Sequence, residues 1–170
     1  AMTAYATCYA GAIENTGTLT LKNGTRIRDN SVDAIASTAS FTNANGSGGA
    51  LVSSGTLILD GNVVFRGNKV NAQANSGYHG QMPGGANASA GGGAISNSGT
   101  IQVTEAGQGK CRFVDNQALA TASTANGEAV HSSRGGAVAT TDLGFDLTTA
   151  CVFENNSADV DPDVTIYPAS

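Results

Sequence analysis

The chain has 170 residues, enough for one domain, and its 23 glycines, 5% aromatic content and lack of tryptophan exclude a large aromatic-rich globular core. Only 12% of residues are charged, the formal net charge is -5, and the eight Lys and Arg are scattered, so no basic stripe tracks phosphates and no nucleic-acid partner is expected. No stretch approaches the roughly 18 consecutive apolar residues that a spanning helix requires, so no direct membrane span is expected in this chain.

The N-terminus, Ala1-Met2, carries no basic region followed by an apolar run, and reads as a processed form, an excised segment or a cloning scar. Residues 1–10 are assigned to an end cap, and Cys8 within them is the best candidate for a free or intermolecular thiol. From Gly11 one pattern recurs four times, over residues 11–32, 49–70, 93–119 and 136–160. Each copy opens on a Gly-Ala-aliphatic unit (Gly11-Ala12-Ile13, Gly49-Ala50-Leu51, Gly93-Ala94-Ile95, Gly136-Ala137-Val138). A middle segment then alternates apolar with polar, as in Leu19 and Leu21, Leu57 and Leu59, Ile101 and Val103, Leu143 and Phe145. An apolar-x-x-Asn unit closes each copy: Ile27 to Asn30, Phe65 to Asn68, Phe113 to Asn116, Phe153 to Asn156. Ser31 to Gly48, Lys69 to Gly92 and Gln117 to Gly135 separate the copies; rich in Ala, Ser, Asn and Gly, they are expected as long loops inserted at one corner. Residues 157–170, with Pro162 and Pro168 as stops, are assigned to the second cap, the alternative for both ends being that the native protein continues beyond them.

Each copy therefore predicts three short strands and turns, with no helix, since no segment keeps a capped 3.6-residue period. Such a unit cannot bury its own apolar face. Stacking the copies, strand over strand at about 4.8 Å, buries a continuous core, which predicts a single all-β domain built as a right-handed parallel β-helix of about four three-stranded coils. Phe65, Phe113 and Phe153 then form a core stack beneath Ile27, and Asn30, Asn68, Asn116 and Asn156 form a turn ladder whose amides bond along the axis and tolerate left-handed backbone.

The same columns give the candidate chemistry. Asp29 and Asp115 precede the Asn column two coils apart, about 9.6 Å, near the separation of an inverting glycosidase pair. Gly67 interrupts them, no His lies in the repeat, and Arg28 and Arg66 should face the other way on an extended strand; solvated turn residues are the preferred reading. His79 and His131 fall in the insertions without a Cys or carboxylate at ligand spacing, and with no CxxC pair no metal or cofactor is expected. No nucleophile-elbow motif is present. Thr18, Thr56 and Thr100 make an outward ladder that stops at the fourth copy and reads as strand propensity, not ice binding. Sequons at Asn23, Asn45, Asn87 and Asn155 are weak in a chain this rich in Asn, Ser and Thr. Cys111 and Cys151 share one inward column with Thr25 and Val63; at about 4.8 Å a disulfide is open to them, and core packing is the favoured reading.

The motif Gly-Gly-Ala-(Ile/Leu/Val) followed by Phe-x-x-Asn resembles the repeat of the chlamydial polymorphic outer-membrane proteins. It stands here as Gly48 to Leu51 with Phe65 to Asn68, Gly92 to Ile95 with Phe113 to Asn116, and Gly135 to Val138 with Phe153 to Asn156, while the first copy departs with Ala10 and Ile27. The resemblance implies a right-handed β-helix of the passenger-domain type, which in that family acts in adhesion, secreted or at the cell surface; no anchoring barrel is visible. The leading expectation is a non-catalytic surface binding module with a protein or glycan partner. A structural accessory subunit of a larger assembly, in an organelle lumen or at a cell surface beside neighbouring subunits, is the alternative, and a polysaccharide-active enzyme the third.

Overall fold

The structure, a computed structural model, describes residues 2–77, 84–104, 109–142 and 146–167. Tyr78, His79, Leu143, Phe145 and Pro168 lie outside the described residues. The chain is all-β, with parallel sheets. Strands are numbered in chain order; each of the first three copies deposits one strand in each of five sheets in turn, and the fourth, among the described residues, adds strands to the opening and closing sheets only. The opening sheet holds β2 (Ile13–Asn15), β7 (Leu51–Ser53), β12 (Ile95–Asn97) and β17 (Val138–Thr140), with β19 (Val164–Ile166) added on β17. The middle sheet holds β3 (Thr18–Leu21), β8 (Thr56–Asp60) and β13 (Thr100–Thr104), and the closing sheet β4 (Arg26–Arg28), β9 (Val64–Arg66), β14 (Cys111–Val114) and β18 (Cys151–Glu154).

The remaining two sheets come from the segments expected as loops. One holds β5 (Ser31–Thr38), β10 (Lys69–Ser76) and β15 (Gln117–Thr124); the other holds β1 (Thr3–Tyr9), β6 (Phe41–Ser47), β11 (Gly84–Gly91) and β16 (Gly127–Arg134). The insertions are thus strands, and a copy has five strands, not three. Their alternation explains this: Val32, Ala34 and Ala36 are buried while Ser31, Asp33, Ile35 and Ser37 point out, and β10 repeats the order residue for residue. The inward alanines of both sheets form a second core of small side chains, separate from the aliphatic and aromatic core of the repeat. β1 belongs to this sheet too: it pairs in register with β6 and so lengthens the stack by a strand where a cap was expected.

Pairing is in register throughout, so chemically equal positions stack. Ile13, Leu51, Ile95 and Val138 share one column, and Phe65, Phe113 and Phe153 another, with ring centroids 5.1 and 5.0 Å apart and nearly parallel planes. The paired glycines have two different jobs. Gly48, Gly92 and Gly135 adopt φ of 61, 63 and 59°, and Ala10 takes the same conformation in the first copy at 52°. A Cβ on the following Gly49, Gly93 or Gly136 would strike a backbone carbonyl of the next layer, at Gly93, Gly136 and Pro162 respectively.

At the closing corner the left-handed residue is the one before each Asn: Asp29, Gly67, Asp115 and Asn155 have φ of 57, 64, 55 and 53°. The sequence reading had put the left-handed backbone on the Asn itself. The turn instead sends the Asn side chain inward, where Asn68 and Asn116 are wholly buried. Two further differences are local. Asp146 accepts from the Thr148 amide at 3.0 Å and caps a four-residue helix, α1 (Leu147–Ala150). Cys111 and Cys151, opposite each other in β14 and β18, form a disulfide with Cα atoms 4.7 Å apart, so the favoured reading of plain packing gives way to a bond.

Candidate functional site

Across the outer face of the β1, β6, β11 and β16 sheet runs a trough of about 540 Å³. Strand alternation builds it, because each inward alanine forces its neighbours outward. Tyr5, Asn43, Asn87 and Val130 stand in one cross-strand column, and Thr3, Phe41, Gly85 and Glu128 in the next. Gly85 forms the floor, since a Cβ there would sit 3.0 Å from the Phe41 ring. Tyr5 and Phe41 keep 74% and 49% of their surface exposed, well above what a core aromatic shows. Asn45 Nδ2 donates to Asn43 Oδ1 at 3.1 Å, which engages the Asn43 amide oxygen. Among the described residues no hydrogen bond occupies Asn87 or Glu128 side chains. A second hollow of about 190 Å³ continues along Asn45, Ser89 and Ser132. The site combines aromatic faces, two amides and one carboxylate on a rigid parallel sheet.

The residues singled out from sequence lie elsewhere. Asp115 Oδ2 is 3.4 Å from Arg66 Nε, and its Oδ1 accepts from Asn155 Nδ2 at 3.4 Å. Arg66 was expected to face away, but the left-handed turn breaks strict alternation and returns the carboxylate to the arginine. Asp29 and Asp115 line neither hollow. His131 is on β16, not in a loop, and its Nδ1 lies 3.6 Å from Asp159 Oδ2, a carboxylate that sequence spacing did not supply. Thr18, Thr56 and Thr100 do stand in one register column of the middle sheet. Among the described residues no group of three or more His, Cys, Asp or Glu could hold a metal ion, and no helix is long and apolar enough to cross a membrane.

The Asn column is a continuous hydrogen-bonded ladder. Asn30 Nδ2 donates to Asn68 Oδ1 at 2.9 Å, Asn68 to Asn116 at 3.0 Å, and Asn116 to Asn156 at 3.0 Å. Asn156 Nδ2 donates in turn to Asp163 Oδ1 at 3.1 Å. A second buried polar column went unnoticed in the sequence: Asn15 donates to Ser53 Oγ and Asn97 to Thr140 Oγ1, two residues after each opening aliphatic. Its signal was available, since that position is polar in all four copies. The trough residues also had one, Thr3, Tyr5, Thr7 and Tyr9 alternating with small residues. No family model, curated protein or solved structure matches this chain.

Proposed function

We propose that this chain is a right-handed parallel β-helix serving as a non-catalytic, adhesin-like binding module at a surface outside the cytoplasm, and that its trough takes a neutral saccharide. Five parallel sheets, each taking its strands from successive copies in register, support the winding. The right-handed sense follows the general preference of parallel connections. The observation that carries the function is the trough itself. Exposed Tyr5 and Phe41 offer apolar faces to the C–H face of a sugar ring, and Asn43, Asn87 and Glu128 offer donors and acceptors to its hydroxyls. The net charge of -5 disfavours anionic glycans. The disulfide is the kind of bond that persists in an oxidising compartment. Engagement of Asp115 by Arg66 weighs against the Asp29 and Asp115 pair as catalytic carboxylates.

Calorimetric titration with a panel of neutral oligosaccharides tests this reading. Tyr5→Ala and Asn87→Ala should each weaken binding about tenfold, the equivalent of one stacking contact or one hydrogen bond, with the melting temperature unchanged. Binding that survives both substitutions, or turnover of the oligosaccharide, overturns it.

A further inference from the structure

The trough extends past the residues that carry the proposed function. On the sheet of β1, β6, β11 and β16 the outward positions form four cross-strand columns, and the hollow of about 540 Å³ occupies the first two. The hollow of about 190 Å³ shares Asn43, Asn87 and Val130 with it and opens into the third column, at Asn45, Ser89 and Ser132. The two are therefore one groove, running along the strands. The fourth column, Tyr9, Ser47, Gly91 and Arg134, ends it. A Cβ on Gly91 would lie 3.1 Å from the Tyr167 hydroxyl, so the missing side chain is what admits Tyr167, and Arg134 stands over that ring, 5.9 Å from its centroid. Along the seven residues of Phe41–Ser47 the groove measures about 20 Å, room for roughly four sugar rings end to end.

Wall and floor differ in chemistry. β1 supplies Tyr5 and Tyr9, 74% and 63% exposed and on the same side of one strand, so two aromatic faces stand about 13 Å apart along one wall. Between them the floor is polar and uncharged, and among the described residues the Asn87 and Ser89 side chains hold no hydrogen bond. Charge is confined to the two extremes. Glu128 stands in the first column, and Arg134, whose Nε donates to Ser132 Oγ at 3.3 Å, in the last.

We propose that the groove takes an extended, β-linked neutral oligosaccharide of about four rings, laid along the strands with one ring against Tyr5 and another against Tyr9. It rests on the saccharide reading of the trough, to which it adds the shape, length and direction of the ligand. A straight strand sets a straight floor, which suits a ribbon of β-1,4-linked rings and not the coil that α-1,4 links produce. Two separated stacking faces favour a chain that reaches both, because the second contact is made by a ligand already held at the first.

Calorimetric titration of the full chain with β-1,4-linked glucose, mannose and N-acetylglucosamine oligomers of two to six rings, and with α-1,4-linked glucose oligomers of the same lengths, tests this. A β-linked series should gain about tenfold in affinity from two rings to four and nothing further to six. Tyr9→Ala should remove that gain and leave the two-ring affinity unchanged, and Ser89→Tyr, which plugs the second hollow, should do the same. Tyr5→Ala should weaken every length. If Ser89→Tyr lowers the melting temperature, Tyr9→Ala, at an exposed side chain, decides. Equal affinity at every length, with Tyr5→Ala still weakening it, overturns the long groove and leaves a shorter saccharide site standing. So does a gain with length that survives Tyr9→Ala. Coiled α-linked oligomers that bind as tightly as β-linked ones overturn the extended shape, and a protein that binds no neutral saccharide of any kind overturns both readings.

Discussion

Asn116 is wholly buried, and every polar atom of its side chain is engaged. Its Nδ2 donates to the Phe65 carbonyl at 3.1 Å and to Asn156 Oδ1, and its Oδ1 accepts from the Asn68 amide and Nδ2, both at 3.0 Å. Alanine at this position orphans groups on both neighbouring layers, and those of Asn68 and Phe65 are wholly buried. Asn116→Ala should lower the unfolding free energy by about 4 kcal/mol, read from urea melts, far more than loss of a single surface hydrogen bond. The ladder was legible because an Asn recurs three residues after each core aromatic or aliphatic. The left-handed residue before it was not, since Asp29, Gly67, Asp115 and Asn155 share no side-chain chemistry, only the ability to adopt that backbone. That ambiguity is what made Asp29 and Asp115 look like a reactive pair.

The strands of the alanine core were the least legible elements. Alanine has low strand propensity and contributes little burial individually, so segments such as Val70 to Ser76 read as low-complexity loops. What turns them into sheets is the alternation itself, repeated at the same offset in three copies, so that each small inward side chain lies over an equal one. Such a core has no spare volume. Ala72 lies wholly buried between Ala34 and Ala120, and Ala72→Leu should destabilise the protein by about 1–3 kcal/mol through overpacking. Gln73→Leu, one residue along and facing outward, should change the thermal midpoint by little, and the contrast between the two melts checks the register.

For the whole molecule, the sequence showed one core and the structure has two. The aliphatic and aromatic columns were readable from four copies of a short motif. The trough was hidden because it needs strands β1, β6, β11 and β16 side by side, residues far apart in the chain and assigned in the sequence to a cap or to loops. Proximity of that kind cannot be read until the pairing is known.

The disulfide has a mechanical consequence for this layered construction. Strand pairing joins each copy only to its neighbours, so local opening spreads layer by layer from whichever end frays first. Cys111 and Cys151 tether the last two layers of the closing sheet, 40 residues apart in sequence, while nothing covalent holds the first two. Amide exchange should therefore run as a gradient, quickest in β3 and β4 and slowest in β14 and β18. Replacing both cysteines with Ala should flatten the gradient at the tethered end and remove about 2–4 kcal/mol of stability. A protein assembled from near-identical layers is in this way made unequal along its length, with one end free to breathe and the other fastened.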